Sequence, residues 1–314
     1  MLKNKNIAIL MGGYSSEYEV SIRSGNEVYK NLSSFKYNLF KVIITKEKWY
    51  CIDKNENKYC INVKNFSVNK PKIDFDYVIN VIHGSPGEDG LIQSYFKMLN
   101  IKHSSSEYFQ TALTFNKSEC KNFLIKHNIL TPKSVLLTKK TNINIKEILS
   151  ITGIPVFVKP NKGGSSFGIS RVKNIDKLKN SIEYAFKEDN EVIIEQEIKG
   201  REISVGVIKI KNKIIALPPT EIVTQNDFFD YNAKYKGESD EITPAHLTKD
   251  QTDFIQKLSK KIYKILDLKG FSRSDFILRN NNFYFLEINT NPGLTKESIL
   301  PQQAISYGIS LKEL

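Results

Sequence analysis

The chain has 314 residues, 40% hydrophobic, 25% charged and 11% aromatic, a balance that fits a globular protein large enough for about two or three domains. Its formal charge of +12 is carried by lysine, with arginine only at 23, 171, 201, 273 and 279 and no lysine run longer than a pair. That scatter argues against a nucleic-acid footprint and favours a solvated lysine surface, with attraction of anionic substrates as a second reading.

The opening, MLKNKNIAILMGG, turns polar too early for a signal peptide, and no apolar run reaches the about 18 residues a membrane span needs. NIAILMGG predicts a short strand closed by Gly12 and Gly13, and residues 15–32 carry helical spacing with Ser15 or Ser16 as N-cap. YNLFKVIIT and DFDYVINVIHG are the next strands, so the first hundred residues predict an open parallel sheet with ligands at the strand C-termini, where Gly12-Gly13 and His83-Gly84 fall. Cys51, Cys60 and Cys120 leave one thiol unpaired and match no zinc spacing, which fits reduced thiols in a cytoplasmic protein.

Residues 106–129 read as helical, with a break at Thr131-Pro132. A second α+β unit follows, with the strand IPVFVKP, a glycine-rich loop, the returning strand GISRV and the helix IDKLKNSIEYAFKE. A third begins near Val192 with VIIEQEI and EISVGVIKI, and holds a polar stretch over 221–243, a helix over 250–267 and two closing strands. The expected boundaries are 1–104, 105–191 and 192–314.

The closing strands, FSRSDFILRNNNFYFLEINTN, carry chemistry. A three-residue loop at Asn280–Asn282 sets Arg279 opposite Phe283, Phe276 opposite Leu286, Asp275 opposite Glu287 and Arg273 opposite Asn289. Asp275, Glu287 and Asn289 then share one face. Two carboxylates across a ladder repel. Either a hard divalent cation such as Mg²⁺ or Mn²⁺ sits between them, or they lie at a solvated sheet edge where salt screens them. Upstream, VFVKPNKGGSSFGIS sets Lys159 before Gly163, Gly164 and Gly168, a composition that lets backbone N–H groups converge on an anion. It lacks the Walker A order, and alone it is also a plain glycine-rich turn. Beside a divalent cation, a nucleoside triphosphate is the natural occupant.

HGSPGEDG, KPNKGGSSFGIS and LEINTNPGLTKES, in this order and spacing, resemble the D-alanine–D-alanine ligase family of ATP-grasp enzymes, as do GGYSSEYEVS near the start and YNAKY in the polar stretch. The resemblance covers essentially the whole chain. It implies an α/β three-domain ATP-grasp fold, an N-terminal open parallel sheet plus two α+β domains clamping ATP, in a bacterial cytoplasmic ligase of peptidoglycan precursor synthesis. Relatives are commonly homodimers, and neither nucleic acid nor membrane is implied as a partner.

The resemblance also implies roles. Glu17 would meet the amino group of the first D-alanine and His83 would lie near its carboxylate. Lys117, Lys159 and Lys234 would hold ATP phosphates, with Ser165 and Ser166 in the nucleotide loop. Glu195 would bond the adenine amino group, Ile198 would line its pocket and Glu202 would meet the ribose. Ser165 would link Glu17 to Tyr235, a tyrosine that relatives joining D-alanine to D-lactate tend to lack. Asp275, Glu287 and Asn289 would hold two Mg²⁺ or Mn²⁺ ions, with Glu287 between them. Arg273 and the Gly293 N–H would stabilise the tetrahedral oxyanion, and Ser298 with the Ile299 backbone would hold the second substrate's carboxylate. Tyr14 and Tyr18 depart from the small, polar or basic residues usual beside the first-substrate glutamate. Rival readings are another ATP-grasp carboxylate–amine ligase and a catalytically silent nucleotide-binding regulator; a dinucleotide site is disfavoured because MGGYSSE lacks G-x-G-x-x-G.

Overall fold

A computed structural model describes residues 4–33, 37–164, 167–224 and 239–314. The apolar strand Lys5–Gly12 is an interior strand of the first sheet, paired in parallel with Tyr37–Ile44 on one side and Tyr77–Asn80 on the other. Two further strands, Trp49–Ile52 and Lys58–Cys60, extend the sheet antiparallel, so the expected parallel sheet is mixed. Their alternation is too short to read in sequence. The helix Tyr18–Leu32 covers one face. Its N-cap position is Glu17, and neither expected serine caps it.

The middle sheet runs Ser170–Val172, Val156–Pro160, Glu191–Gln196, Ser134–Thr138, all antiparallel. Glu191–Gln196 therefore lies inside this sheet, and we propose a boundary after Gln196 in place of the one expected before Val192. The reason is burial: Val192, Ile193 and Ile194 are sealed, and Val192 and Ile194 pack against Val156, Val158 and Ile182.

The third sheet runs Ser239–Ile242, Thr220–Thr224, Arg201–Ile210, Phe271–Arg279, Asn282–Asn289, with Lys213–Ala216 also paired to Arg201–Ile210. The helix Lys249–Ile265 packs on it and opens with a full capping box between Thr248 and Gln251. The single helical stretch expected over 106–129 is two helices, Tyr108–Phe115 and Lys117–Ile125. Asn116 breaks it, with extended backbone and a side chain that accepts the Glu119 N–H to cap the second helix. Cys120, Leu124 and Ile129 join the core of the third sheet, so these helices belong with it by packing. On these cores we propose three units, the third drawing the helices at 108–125 away from the middle one.

Among the described residues, no helix is long and apolar enough to cross a membrane. The third core is aromatic at its centre, with Phe276 fully buried and edge-on to Phe285 at 5.8 Å and Phe283 at 6.5 Å. Phe276→Ala is expected to lower unfolding free energy by about 3–5 kcal/mol, read from urea denaturation followed by circular dichroism. A loss below about 1 kcal/mol would show that the core collapses around the deletion.

Candidate active site

Asn280 and Asn281 have φ of 48° and 61°, the left-handed pair of a two-residue hairpin turn. The loop is thus one residue shorter than expected: Arg279 pairs with Asn282 rather than Phe283, and Phe276 with Phe285 rather than Leu286. A β-bulge between Asp275 and Phe276 then absorbs the extra residue on the returning strand. Below it, Asp275 faces Glu287 and Arg273 faces Asn289, the pairing the longer loop had also predicted.

Basic side chains answer these facing carboxylates. Arg273 donates to both oxygens of Asp275, Nε to Oδ1 at 3.1 Å and Nη2 to Oδ2 at 2.9 Å, and Ser204 Oγ donates to Oδ1 at 2.6 Å. Lys117 Nζ lies 3.4 Å from Glu287 Oε2 and donates to the Gly163 carbonyl at 2.6 Å. The repulsion is relieved within the protein, so it does not by itself require a metal. The donor set still suits one: two carboxylates and the Asn289 amide oxygen, which also accepts the Asn291 N–H at 3.1 Å, are all hard oxygen donors. Among the described residues, no group of three His, Cys, Asp or Glu forms a metal cluster.

Lys117, Arg273, Glu287 and Asn289 border a cavity of about 320 Å³. Of the expected site residues, Glu17, His83, Lys117, Arg273, Glu287, Asn289, Gly293, Ser298 and Ile299 line it, together with Gly163 and Gly164. Glu17 is buried, and a Cβ on Gly164 would stand 2.8 Å from both its carboxylate oxygens, so a side chain there would displace the Glu17 carboxylate. Ser15 Oγ accepts the Glu17 N–H at 3.2 Å and donates to the His83 carbonyl at 2.8 Å. His83 Nε2 is 3.2 Å from Ser24 Oγ, and burial pushes the ring's pKa down against the pull of Glu17, keeping it neutral at physiological pH. Ser298 occupies the N-cap of the helix Ile299–Ser306 without capping it; its hydroxyl is 2.8 Å from Thr295 Oγ1. Asn291 Nδ2 donates to the Ile82 carbonyl at 2.7 Å, tying the third unit to the first.

Lys159, Glu195, Ile198, Glu202 and Asp275 do not line the cavity. Lys159 Nζ donates to Glu195 Oε1 at 2.7 Å, and Lys121 Nζ pairs with the other oxygen of the same buried carboxylate. Burial lowers the Lys159 pKa, but Glu195, Glu287 and Glu202 outweigh it and hold the lysine charged. The Glu195 carboxylate is therefore engaged by two lysines. Ile198 is half-buried in the link between the middle and third sheets. Ser165, Ser166, Lys234 and Tyr235 lie outside the described residues. Tyr14 and Tyr18 do not line the cavity; the Tyr14 hydroxyl accepts Trp49 Nε1–H at 3.2 Å, and Tyr18 packs among Ile9, Met11 and Ile22.

Sequence reasoning missed Lys121, Glu88, Val20 and Arg23. Lys121 had a signal, since it follows Lys117 by one helical turn on the same face. Glu88 sits within the quoted HGSPGEDG, borders the cavity and accepts the Gly84 N–H at 2.7 Å. Val20 and Arg23 are lining residues of the first helix that only the fold reveals.

Two family models match in tandem, "D-ala D-ala ligase N-terminus" over residues 6–106 and "D-ala D-ala ligase C-terminus" over 125–314. The D-alanine–D-alanine ligase of Flavobacterium johnsoniae is 54% identical, over 99% of this chain and 97% of that one. The chain belongs to the D-alanine–D-alanine ligase family. The D-alanine–D-alanine ligase of Christiangramia forsetii is 48% identical over 99% and 96% of the two chains. Among solved structures, the VanG D-Ala:D-Ser ligase of Enterococcus faecalis superposes with a TM-score of 0.88 at 32% identity, covering 99% and 97%. The Bacillus anthracis D-alanine–D-alanine ligase complexed with ATP does so with 0.79 at 30% identity, covering 98% and 94%. The ATP-grasp fold and the enzyme class expected from the motifs are those of this ligase family.

Within this D-alanine–D-alanine ligase fold, Glu88 offers a test of the cavity's electrostatics. Burial, then the charge of Glu17, pushes its carboxyl from 4.5 up to about 8. The folded protein keeps a proton that the unfolded chain loses near pH 4.5, so this group's contribution to stability falls as pH rises from about 5 to about 8. Glu88→Gln keeps an acceptor for Gly84 and has no proton to lose. Its unfolding free energy, measured by urea denaturation without substrates, is expected to gain on wild type across that window, by an amount on the order of a few kcal/mol at its top. Parallel pH profiles for the two proteins would refute the assignment.

Proposed function

We propose that the chain joins two D-alanines at the expense of ATP, making the D-alanyl-D-alanine of peptidoglycan precursors. One observation carries this reading: a single cavity gathers Glu17, His83, Arg273, Glu287, Gly293 and Ser298 from stretches up to about two hundred and eighty residues apart.

The first D-alanine would place its ammonium on Glu17 and its carboxylate near the neutral His83. That carboxylate attacks the γ-phosphorus of ATP, the bond to the bridging oxygen breaks, and ADP leaves an acyl phosphate. Lys117 and Lys159, with Lys234, hold the phosphates; Glu195, Ile198 and Glu202 surround adenine and ribose, and Ser165 and Ser166 belong to the nucleotide loop. Asp275, Glu287 and Asn289 would hold Mg²⁺ or Mn²⁺, two ions in all, which when bound would neutralise charge on the phosphates. The second D-alanine, its carboxylate on Ser298 and the Ile299 N–H, attacks the acyl carbon through its amine. Arg273 and the Gly293 N–H stabilise the oxyanion, the carbon–oxygen bond to phosphate breaks, and the amine's proton passes to the departing phosphate. Ser165 and Tyr235 would complete a link to Glu17, and enclosure protects the acyl phosphate from water. The tyrosine at 235 favours an amine over a hydroxyl nucleophile.

We further read the enzyme as a cytoplasmic homodimer. Exposed Leu91 and Met98 on one helix and Tyr108 and Phe109 on the next form an apolar surface that supports self-association.

The test is phosphate release from ATP and Mg²⁺ with no amino acid, D-alanine, L-alanine, and D-alanine plus either D-serine or D-lactate, with products identified by mass. D-alanine-dependent release with the dipeptide as product is expected. Turnover with a different amino acid alone would retain the ligase class and discard the substrate. In Arg273→Ala, kcat is expected to fall on the order of a hundredfold or more while ATP still binds. Near-normal turnover would remove this arginine from the chemistry.

A further inference from the structure

The helix that carries the Ile299 backbone is pinned by a side chain that the chemistry above does not use. Gln303, one helical turn after Ile299, is fully buried. Its Oε1 accepts the Gly206 N–H at 2.8 Å. Its Nε2 donates to the Ser204 carbonyl at 2.8 Å and to Thr220 Oγ1 at 3.0 Å. Both amide hydrogens are thus committed. Thr220 Oγ1 is in turn 2.6 Å from Thr243 Oγ1, and Ser204 Oγ is the group that donates to Asp275. One amide therefore joins the helix to the strand holding Asp275's partner and to the strand Thr220–Thr224.

The apolar contacts of this helix, Leu300 and Ala304 against Ile208 and Leu217, attract without fixing rotation or height. An eight-residue helix has little stability of its own, and Ser298 makes no cap bond to it. Gln303 supplies the directional contact. Gly206 is bare where the helix approaches, because a Cβ there would stand 2.5 Å from Leu300 Cδ1 and 2.6 Å from Gln303 Oε1.

We propose that Gln303 is a positioning residue for the second substrate. It sets the height and rotation of the helix Ile299–Ser306, and so the place of the Ser298 hydroxyl and the Ile299 N–H relative to Arg273 and Asp275. The inference rests on the reading that these two groups receive the second carboxylate. Without the amide the helix keeps its apolar seat but loses its register against the sheet. The second amino acid then binds more weakly, while the nucleotide and first-substrate groups, held by other elements, stay in place.

The experiment is steady-state kinetics of the full chain, resolving Michaelis constants for ATP and for D-alanine at each of its two sites, with melting temperatures alongside. Gln303→Leu is expected to raise the second-site constant about tenfold or more, as for a lost buried hydrogen bond, with the other two within about twofold. Thr220→Val, which removes one bond of three and is the milder change, should raise the second-site constant a few-fold and decides the matter where Gln303→Leu does not fold. All three constants rising in step, or a lowered melting temperature with the second-site constant unmoved, would overturn the proposal. Ser298→Ala run in parallel separates the two ideas. A raised second-site constant in Ser298→Ala, with Gln303→Leu and Thr220→Val unmoved, overturns Gln303 alone. An unmoved constant in Ser298→Ala overturns the carboxylate site and this inference with it.

Discussion

Two carboxylates held opposite each other across an antiparallel pair are the constraint around which the rest is arranged. Asp275 and Glu287 cannot move apart, because the bulge and the buried phenylalanines beside it fix both strands. Their charge must be met locally, and the fold meets it with Arg273 on Asp275 and Lys117 on Glu287. Arg273 comes from the same strand, two residues away and on the same face. Lys117 comes from a helix 170 residues before Glu287, so the charge requirement itself ties distant chain segments together. The same lysine holds the Gly163 carbonyl, which brings the glycine-rich loop of the middle unit to the cavity wall.

A second set of buried charges sits behind the first. Glu195 lies between Lys159 and Lys121 with almost no exposure, a grouping that survives burial only because each charge is answered. Glu17 and Glu88 are both buried at the cavity, and burial with the charge of Glu17 keeps the proton on Glu88. On the proposed function, a site built this way would act through fixed charges and dipoles rather than through a protein nucleophile. Its precision then depends on quiet contacts such as Asn291 to Ile82, Ser15 to His83 and the Gln303 amide.

Much of this was legible in the sequence, for reasons that differ from residue to residue. The facing of Asp275 and Glu287 follows from period-2 alternation and a short Asn-rich turn, and it emerged even though the loop is two residues rather than three. The bulge compensated, and no pattern in FILRNNNFYFLE announces a bulge. The two antiparallel strands of the first sheet and the strand Ser134–Thr138 were not read, being short and weakly alternating. The strand Glu191–Gln196 was read together with the strand after it, whereas it pairs within the middle sheet, because an apolar strand carries no mark of which sheet will bury it. Asn116 could have been read as a cap by its position three before Glu119, yet the helical periodicity on either side conceals the break.

By itself the sequence determined the element types of the long periodic segments, the hairpin that sets Asp275 against Glu287, the glycine-rich loop, and through their order the D-alanine–D-alanine ligase family. These are local properties, set by side-chain period, turn chemistry and residue type over a few positions. Only the tertiary structure decided which of these segments meet: that Lys117 answers Glu287, that Lys121 shares Glu195, that Tyr14 turns to Trp49 instead of the cavity, and that Gln303 locks a helix to the sheet beneath it. Contacts between residues a hundred or more positions apart depend on how whole layers pack, and a linear pattern holds no measure of that distance.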